Sequence, residues 1–338
     1  MISIVICSQH PSLDKELAEN IRQTIGTEYE VVHVDNSQNR YNIFEAYNIG
    51  VERAKGDCLC FMHEDVLFRT NNWGQVVETY LSQPFVGALG VAGSCVVLDQ
   101  LDWRFYGFGQ VYLIQGTTTI EEDARYYESY PLTEKKRPLT QVATLDGVWI
   151  CMRKELFEHI SFDTEHFHDF HLYDTDICMQ VNQLGLGVFM TYDVLLEHQS
   201  EGTFSEGYRK SLQAFADKWS GSLPMIRGMY VTQEEIDKAL AKASTYFEER
   251  LHNDALVIGL RKLFAQRHEG QTVRAYTKEE KILMDDSLFA CCRQFIKNKK
   301  EVSAAKAWSA VSSYCAKPYA TRRFKVFAKF LWYRFLKG

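Results

Sequence analysis

Apolar positions in the first eighty residues follow two alternating rhythms. Residues 2–7, ISIVIC, form an unbroken β-branched run, the pattern of a short strand buried on both faces. Ser12 is placed to cap a helix over 12–25, in which Leu13, Leu17, Ile21 and Ile25 share one face and Gly26 ends the period. A strand over 29–34 runs into Asp35-Asn36-Ser37, and a helix over 42–54 closes at Gly56. Residues 57–62 read as a third strand ending at His63-Glu64-Asp65, and 73–81 as a third helix. This order predicts an α/β fold built on a mostly parallel sheet flanked by helices. Ligands of such sheets gather at the carboxyl ends of the strands, where all three polar clusters fall, counting Cys7-Ser8-Gln9.

The middle of the chain is rich in aromatic and β-branched residues. The spacing predicts a hairpin over 103–115 around Gly107-x-Gly109, a surface loop over 116–138 and strands over 140–145 and 149–153. A helix over 174–184, a strand over 188–191 and a helix over 202–219 follow. From Thr232 the strand signals cease. Thr232-x-x-Glu235 is a capping box opening a long helix, and helical periodicity continues over 277–297, 302–316 and 318–336. The linker over 223–231 contains Pro224 and Gly228, so two domains are expected, 1–228 and an all-α domain at 232–338.

Composition sharpens this division. The chain has 338 residues, 46% hydrophobic and 24% charged, enough to bury a sizeable core. Its net charge of −6 conceals 17 Lys+Arg against 32 Asp+Glu before residue 232 and 21 against 12 after it. No apolar run reaches the roughly 18–20 residues of a membrane helix. MISIVICS enters its apolar run without a basic region, unlike a cleaved leader, so a cytoplasmic protein is expected. The nine scattered cysteines lack the paired spacings of zinc sites and read as reduced, buried thiols.

Motif chemistry narrows the function further. The first strand is followed by SQHPS, with no glycine, and no Walker A loop occurs, which disfavours dinucleotide and P-loop chemistry. His63-Glu64-Asp65 at a strand end suits a hard divalent ion held against a diphosphate, and equally an acidic turn. Asp35 suits a hydrogen bond to a base or ribose, or an Asx-turn. Asp146-Gly147 ends a strand. HFHDFHLYDTDIC brings His166, His168 and His171 close together and opens a helix with Asp174 and Asp176, either of which is a general base or a helix-dipole partner. His198 follows the last strand.

Taken together, these segments resemble family 2 of the glycosyltransferases with the glycosyltransferase-A fold. ISIVICS, VVHVDNS, CFMHEDV, LDGVWICMRKELF, FHLYDTDICMQVNQLG and EHQSEGTF match the family's order over roughly residues 1–220. HED with FHLYDTDIC is similar to the branch named for a streptomycin biosynthesis protein. The resemblance implies inverting transfer from a nucleotide-sugar donor to a glycan, lipid-linked or small-molecule hydroxyl, as in polysaccharide or secondary-metabolite synthesis. It implies that Ser8, Asp35 and Glu64 contact the nucleotide and that Asp65 and His198 hold Mn²⁺ or Mg²⁺. Asp174 becomes the base, with Asp146, Trp149, His171 and Asp176 on the acceptor side. Two residues depart from the family: His63 replaces the usual first Asp of the metal segment, and Tyr173 stands where many relatives have Glu, which leaves Asp174 and Asp176 both open as the base. A catalytically silent sugar-nucleotide-binding or membrane scaffold protein, or a metal-dependent hydrolase, is the alternative.

Residues 317–338 carry seven Lys or Arg, seven aromatics and no acid. That pattern fits an anionic membrane surface, making the protein peripheral at the inner face, or a helix packed on its own domain. The acidic first domain disfavours nucleic acid.

Overall fold

The computed structural model describes residues 1–115, 125–126, 138–199, 206–268, 274–275 and 277–281. The expected elements over 282–338, the basic tail among them, and most of the loop over 116–138 lie outside these residues. The chain forms two compact units, Met1–Leu251 and a second that begins at His252.

The first unit opens with β1 (Ile2–Ser8), α1 (Lys15–Thr24), β2 (Tyr29–Asp35), α2 (Ile43–Arg53), β3 (Cys58–Met62), β4 (Val66–Phe68), α3 (Trp73–Leu81) and β5 (Val86–Gly90). Short strands follow: β6 (Ala92–Ser94), β7 (Val96–Val97), β8 (Gly109–Val111), β9 (Ile114–Gln115), β10 (Arg125–Tyr126), β11 (Leu139–Val142) and β12 (Thr144–Leu145). The rest is β13 (Trp149–Arg153), α4 (Tyr173–Gln183), β14 (Gly187–Thr191), β15 (Leu196–His198), α5 (Glu206–Trp219), β16 (Met225–Ile226) and α6 (Gln233–His268).

Seven strands form the central sheet in the order β11-β14-β5-β13-β3-β1-β2. β1 pairs in parallel with β2 and β3, and β14 with β5, while β13 and β11 run against their neighbours. The sheet is thus mostly parallel in strand direction, as the alternating pattern predicts. The reversed β13 lays Trp149 opposite Met62, so the turn before β13 lies at the carboxyl end of β3.

Side chains of β1 alternate between the two faces. Ile2, Ile4 and Ile6 join α1 and α3 in one core, and Val5 joins α2, α4 and α5 in the other. Full burial of each such side chain contributes about 1.5–3 kcal/mol, and burial on both faces explains the unbroken apolar run.

Several local expectations change. Asp14, not Ser12, caps α1, accepting the amides of Glu16 and Leu17 at 2.8 and 3.0 Å. Residues 103–107 form a turn with Gly107 at φ 82°, and β8 pairs with β6, so no local hairpin forms there. The run over 140–145 divides between two sheets, β11 pairing with β14 and β12 with β6. Cys60 and Cys151 face each other across β3 and β13 as a disulfide, where reduced thiols are expected from the sequence.

The capping box at Thr232 is present, with the Thr232 amide donating to Glu235 at 2.8 Å. Ile236, Ala243, Phe247 and Leu251 of α6 are buried in the core of the first unit. The boundary between units therefore falls inside this helix, past Leu251. In the second unit Glu280 accepts from Arg274 at 2.9 Å and from the Thr277 amide at 2.7 Å. No helix among the described residues is long and apolar enough to cross a membrane.

Candidate active site

A cleft of about 860 Å³ opens at the carboxyl ends of β1, β2 and β3. Its walls include Gln9, Asn36, Tyr41, His63, Glu64, Asp65, His168, Phe170 and His198. Asp14, Glu16 and Asp169 also face it, and among the described residues neither Lys nor Arg lines it. A bound cation would offset the charge of an anionic ligand in such a cleft.

Three groups converge there. β15 runs antiparallel to β4, with His198 opposite Val66, which returns His198 to the segment that follows β3. His63 Nδ1 lies 3.2 Å from His198 Nε2, and that nitrogen lies 3.5 Å from Asp65 Oδ1. One ligand atom from each of His63, Asp65 and His198 falls within 4.8 Å of the others. Donors about 2.1–2.2 Å from one ion at angles of about 90–110° stand about 3.0–3.6 Å apart. Two of the three separations fit that range and the third lies within 4.8 Å, so the residues could hold a divalent ion. Burial, reinforced by the neighbouring His198, pushes His63 down to about 4, which leaves the imidazole neutral and able to ligate near pH 7. The sequence singles out Asp65 and His198; His63 completes the set.

The nucleotide-side residues divide. Ser8 Oγ donates to the Glu64 carboxylate, which also accepts the Gln9 amide at 3.2 Å. Ser8 is buried and holds Glu64, while Glu64 itself lines the cleft. Asp35 is exposed and accepts the Ser37 amide at 2.9 Å, an Asx-turn that holds its carboxyl below the usual range. Its neighbour Asn36 faces the cleft instead.

A second cluster centres on a residue the sequence reading passes over. Arg104 donates to Asp102 and to Asp146, each at 2.7 Å, and stands 3.7 Å from Asp174. Tyr208 of α5 donates to Asp102 at 2.6 Å, and His171 packs edge-on against the Tyr208 ring. Asp174 accepts the Gly147 amide at 2.9 Å and the Thr175 amide at 2.8 Å. Burial raises the Asp174 carboxyl to about 6, against the pull of Arg104. Burial also acts to raise Asp146, but Arg104 and the Val148 amide outweigh it and bring it down to about 2. Two neighbouring carboxyls pushed apart in this way divide into a permanent anion and a proton acceptor. Asp102 and Arg104 are two opposite charges inside the aromatic run LDWRFYGFG, and that interruption was the available signal.

Two expected acceptor-side residues lie elsewhere. Asp176 is fully buried on the face of α4 that meets α5, bonded to Lys218 at 2.7 Å, Trp219 at 2.8 Å and Gln180 at 2.8 Å. Trp149 is fully buried in the core of the α1 and α3 side, its ring 6.0 Å from those of Phe68 and Trp73. Adjacent residues of a strand point to opposite faces, and β13 sends Trp149 away from the helices that carry Asp174. His166 pairs with Asp163 at 2.7 Å and is exposed, so the three-histidine cluster does not converge.

Residues 3–219 match the family model described as a glycosyltransferase-like family. The match spans well over half of the chain, and the chain belongs to that family. No curated protein matches it in sequence. Among solved structures it is similar to GalNAc-T7 with UDP, GalNAc and Mn²⁺, at 13% identity and TM-score 0.45 over 76% of this chain. That alignment spans 58% of the GalNAc-T7 chain. The mannosyltransferase PcManGT from Pyrobaculum calidifontis, in complex with GDP-Man and Mn²⁺, aligns at 15% identity and TM-score 0.41, covering 100% of this chain and 87% of its own. The catalytic domain of Drosophila β1,4-galactosyltransferase 7 in complex with xylobiose aligns at 10% identity and TM-score 0.36, covering 70% and 79%.

Proposed function

We propose that the protein transfers a sugar from a nucleotide-sugar donor to an acceptor hydroxyl, with inversion at the anomeric carbon. The observation that carries this reading is the group His63, Asp65 and His198 in a strand-end cleft that, among the described residues, has no Lys or Arg in its lining. The donor's diphosphate lies at this group, and Glu64, oriented by Ser8, faces the nucleotide together with Asn36. Asp35 closes the turn beside them. A divalent ion, Mn²⁺ or Mg²⁺, supplies the positive charge that helps the diphosphate leave.

Asp174 is the base. It takes the proton of the acceptor hydroxyl as the oxygen attacks the anomeric carbon and the bond to the diphosphate breaks. Its carboxyl, held near the working pH, suits both accepting that proton and releasing it afterwards. Asp146 stays ionised beside Arg104, and His171 borders the same pocket of charge. No covalent protein nucleophile is required. The HED and FHLYDTDIC segments support placement in the streptomycin-biosynthesis-protein-like branch.

A thermal-shift screen of nucleoside diphosphates with and without Mn²⁺ tests the donor side, because a ligand of the native state raises its stability. Assays of nucleotide release from the matching sugar nucleotides then test turnover. The reading predicts a metal-dependent shift with at least one diphosphate and none with the free nucleoside. Equal shifts without metal, or none at all, overturn it.

A further inference from the structure

His63, at the end of β3, and Tyr173, in the first turn of α4, touch each other. His63 Nε2 lies 2.9 Å from the Tyr173 hydroxyl, although the two are 110 positions apart in sequence. The opposite ring nitrogen, Nδ1, is the one that faces His198. Tyr173 is 4% exposed, and its ring packs edge-on against Tyr47 and Phe44, so the phenol has little freedom. Gly147 makes room for it: a Cβ at that position would come within 2.0 Å of the Tyr173 oxygen. Gly147 thus leaves the space through which the hydroxyl reaches His63.

We propose that Tyr173 is the positioning residue of the metal group, its hydroxyl fixing the ring of His63 so that Nδ1 is presented toward Asp65 and His198. This rests on the metal reading above and deepens it. An imidazole that ligates through Nδ1 carries its proton on Nε2 and needs an acceptor there; ligating histidines almost always have such an outer partner. A phenol oxygen accepts the hydrogen bond from that N–H, and its own hydrogen serves the opposite tautomer when no ion is bound. His63 brings a neutral ligand that has to be oriented, and Tyr173 supplies the group that orients it.

The test is direct binding of Mn²⁺ to the full chain, alone and with UDP or GDP, read from the electron paramagnetic resonance signal of the free ion. Tyr173→Phe keeps the ring and its packing, and should weaken Mn²⁺ binding about 10–100-fold. In a His63→Ala background the same substitution should change nothing further, because the group it acts through is gone. Gly147→Ala, which displaces the hydroxyl and leaves both side chains intact, should reproduce the loss. Equal losses from Tyr173→Phe in both backgrounds would show that the hydroxyl acts independently of His63 and overturn the inference. Unchanged affinity in Tyr173→Phe overturns it as well. Failure of the unsubstituted protein to bind Mn²⁺ under any of these conditions refutes the metal reading itself, a separate outcome.

Discussion

Arg104 donates to Asp146 at 2.7 Å and stands 3.7 Å from Asp174. Arg104, which also holds Asp102, therefore serves Asp146 and Asp174 unequally, and the roles proposed for them follow that inequality. Asp174→Asn should lower nucleotide release from the matching donor by about 10²–10⁴-fold while leaving diphosphate binding intact. Near-normal turnover in that variant removes Asp174 from the mechanism.

The pH dependence follows from the same pair. Asp174 acts as base only when ionised, so turnover should fall as pH drops through about 6. Stability should run the other way. The folded state holds this proton above its ordinary value of 3.8, so it binds more protons than the unfolded chain between there and about 6. Stability contributed by this group therefore falls as pH rises through that window. Asp174→Asn should raise the melting temperature at pH 7.5 relative to its effect at pH 4, measured by calorimetry. A greater gain at the acid end contradicts the assignment.

Asp176 gives the opposite signature two residues along. Its carboxylate joins α4 to α5 through Lys218 and Trp219. Removing it leaves the half-buried Lys218 with Asp163 and the buried Trp219 N–H without its acceptor, which should cost about 1–3 kcal/mol. Urea unfolding of Asp176→Ala should show that loss, with diphosphate affinity of the folded fraction unchanged.

The donor set of two imidazoles and one carboxylate suits Mn²⁺ better than Mg²⁺, which prefers oxygen. Competition between the two ions, followed by the resonance of free Mn²⁺, should show Mn²⁺ retained in excess Mg²⁺. His63→Asp, which restores an oxygen ligand, should narrow the preference. Equal affinity for both ions in the native chain contradicts the nitrogen ligation.

The basic aromatic segment 317–338 carries a prediction from sequence alone. Each Lys or Arg near an anionic surface contributes about 1 kcal/mol, within a Debye length of about 8–10 Å. The full chain should sediment with anionic vesicles at low salt and be released at high salt, and a truncation after Ala316 should not sediment. Identical behaviour of the two chains excludes the tail as an anchor.

The sequence by itself determined the alternation of the first eighty residues and the three polar strand ends, because burial on both faces of a sheet writes an apolar run that stops where the strand stops. It also determined the change to helix at Thr232 and the helix that starts near Asp174. Tertiary structure decided which of two acids, 174 or 176, faces the cluster, since both lie in the first turn of one helix and only the position of α5 separates them. It sent Trp149 into the core, because the face of β13 depends on the reversed direction of that strand. Arg104, Asp102 and Tyr208 meet across 106 positions, and Tyr173 meets His63 across 110. Local patterns carry no record of contacts that far apart, because periodicity registers burial of a face and not the partner that a polar group finds there.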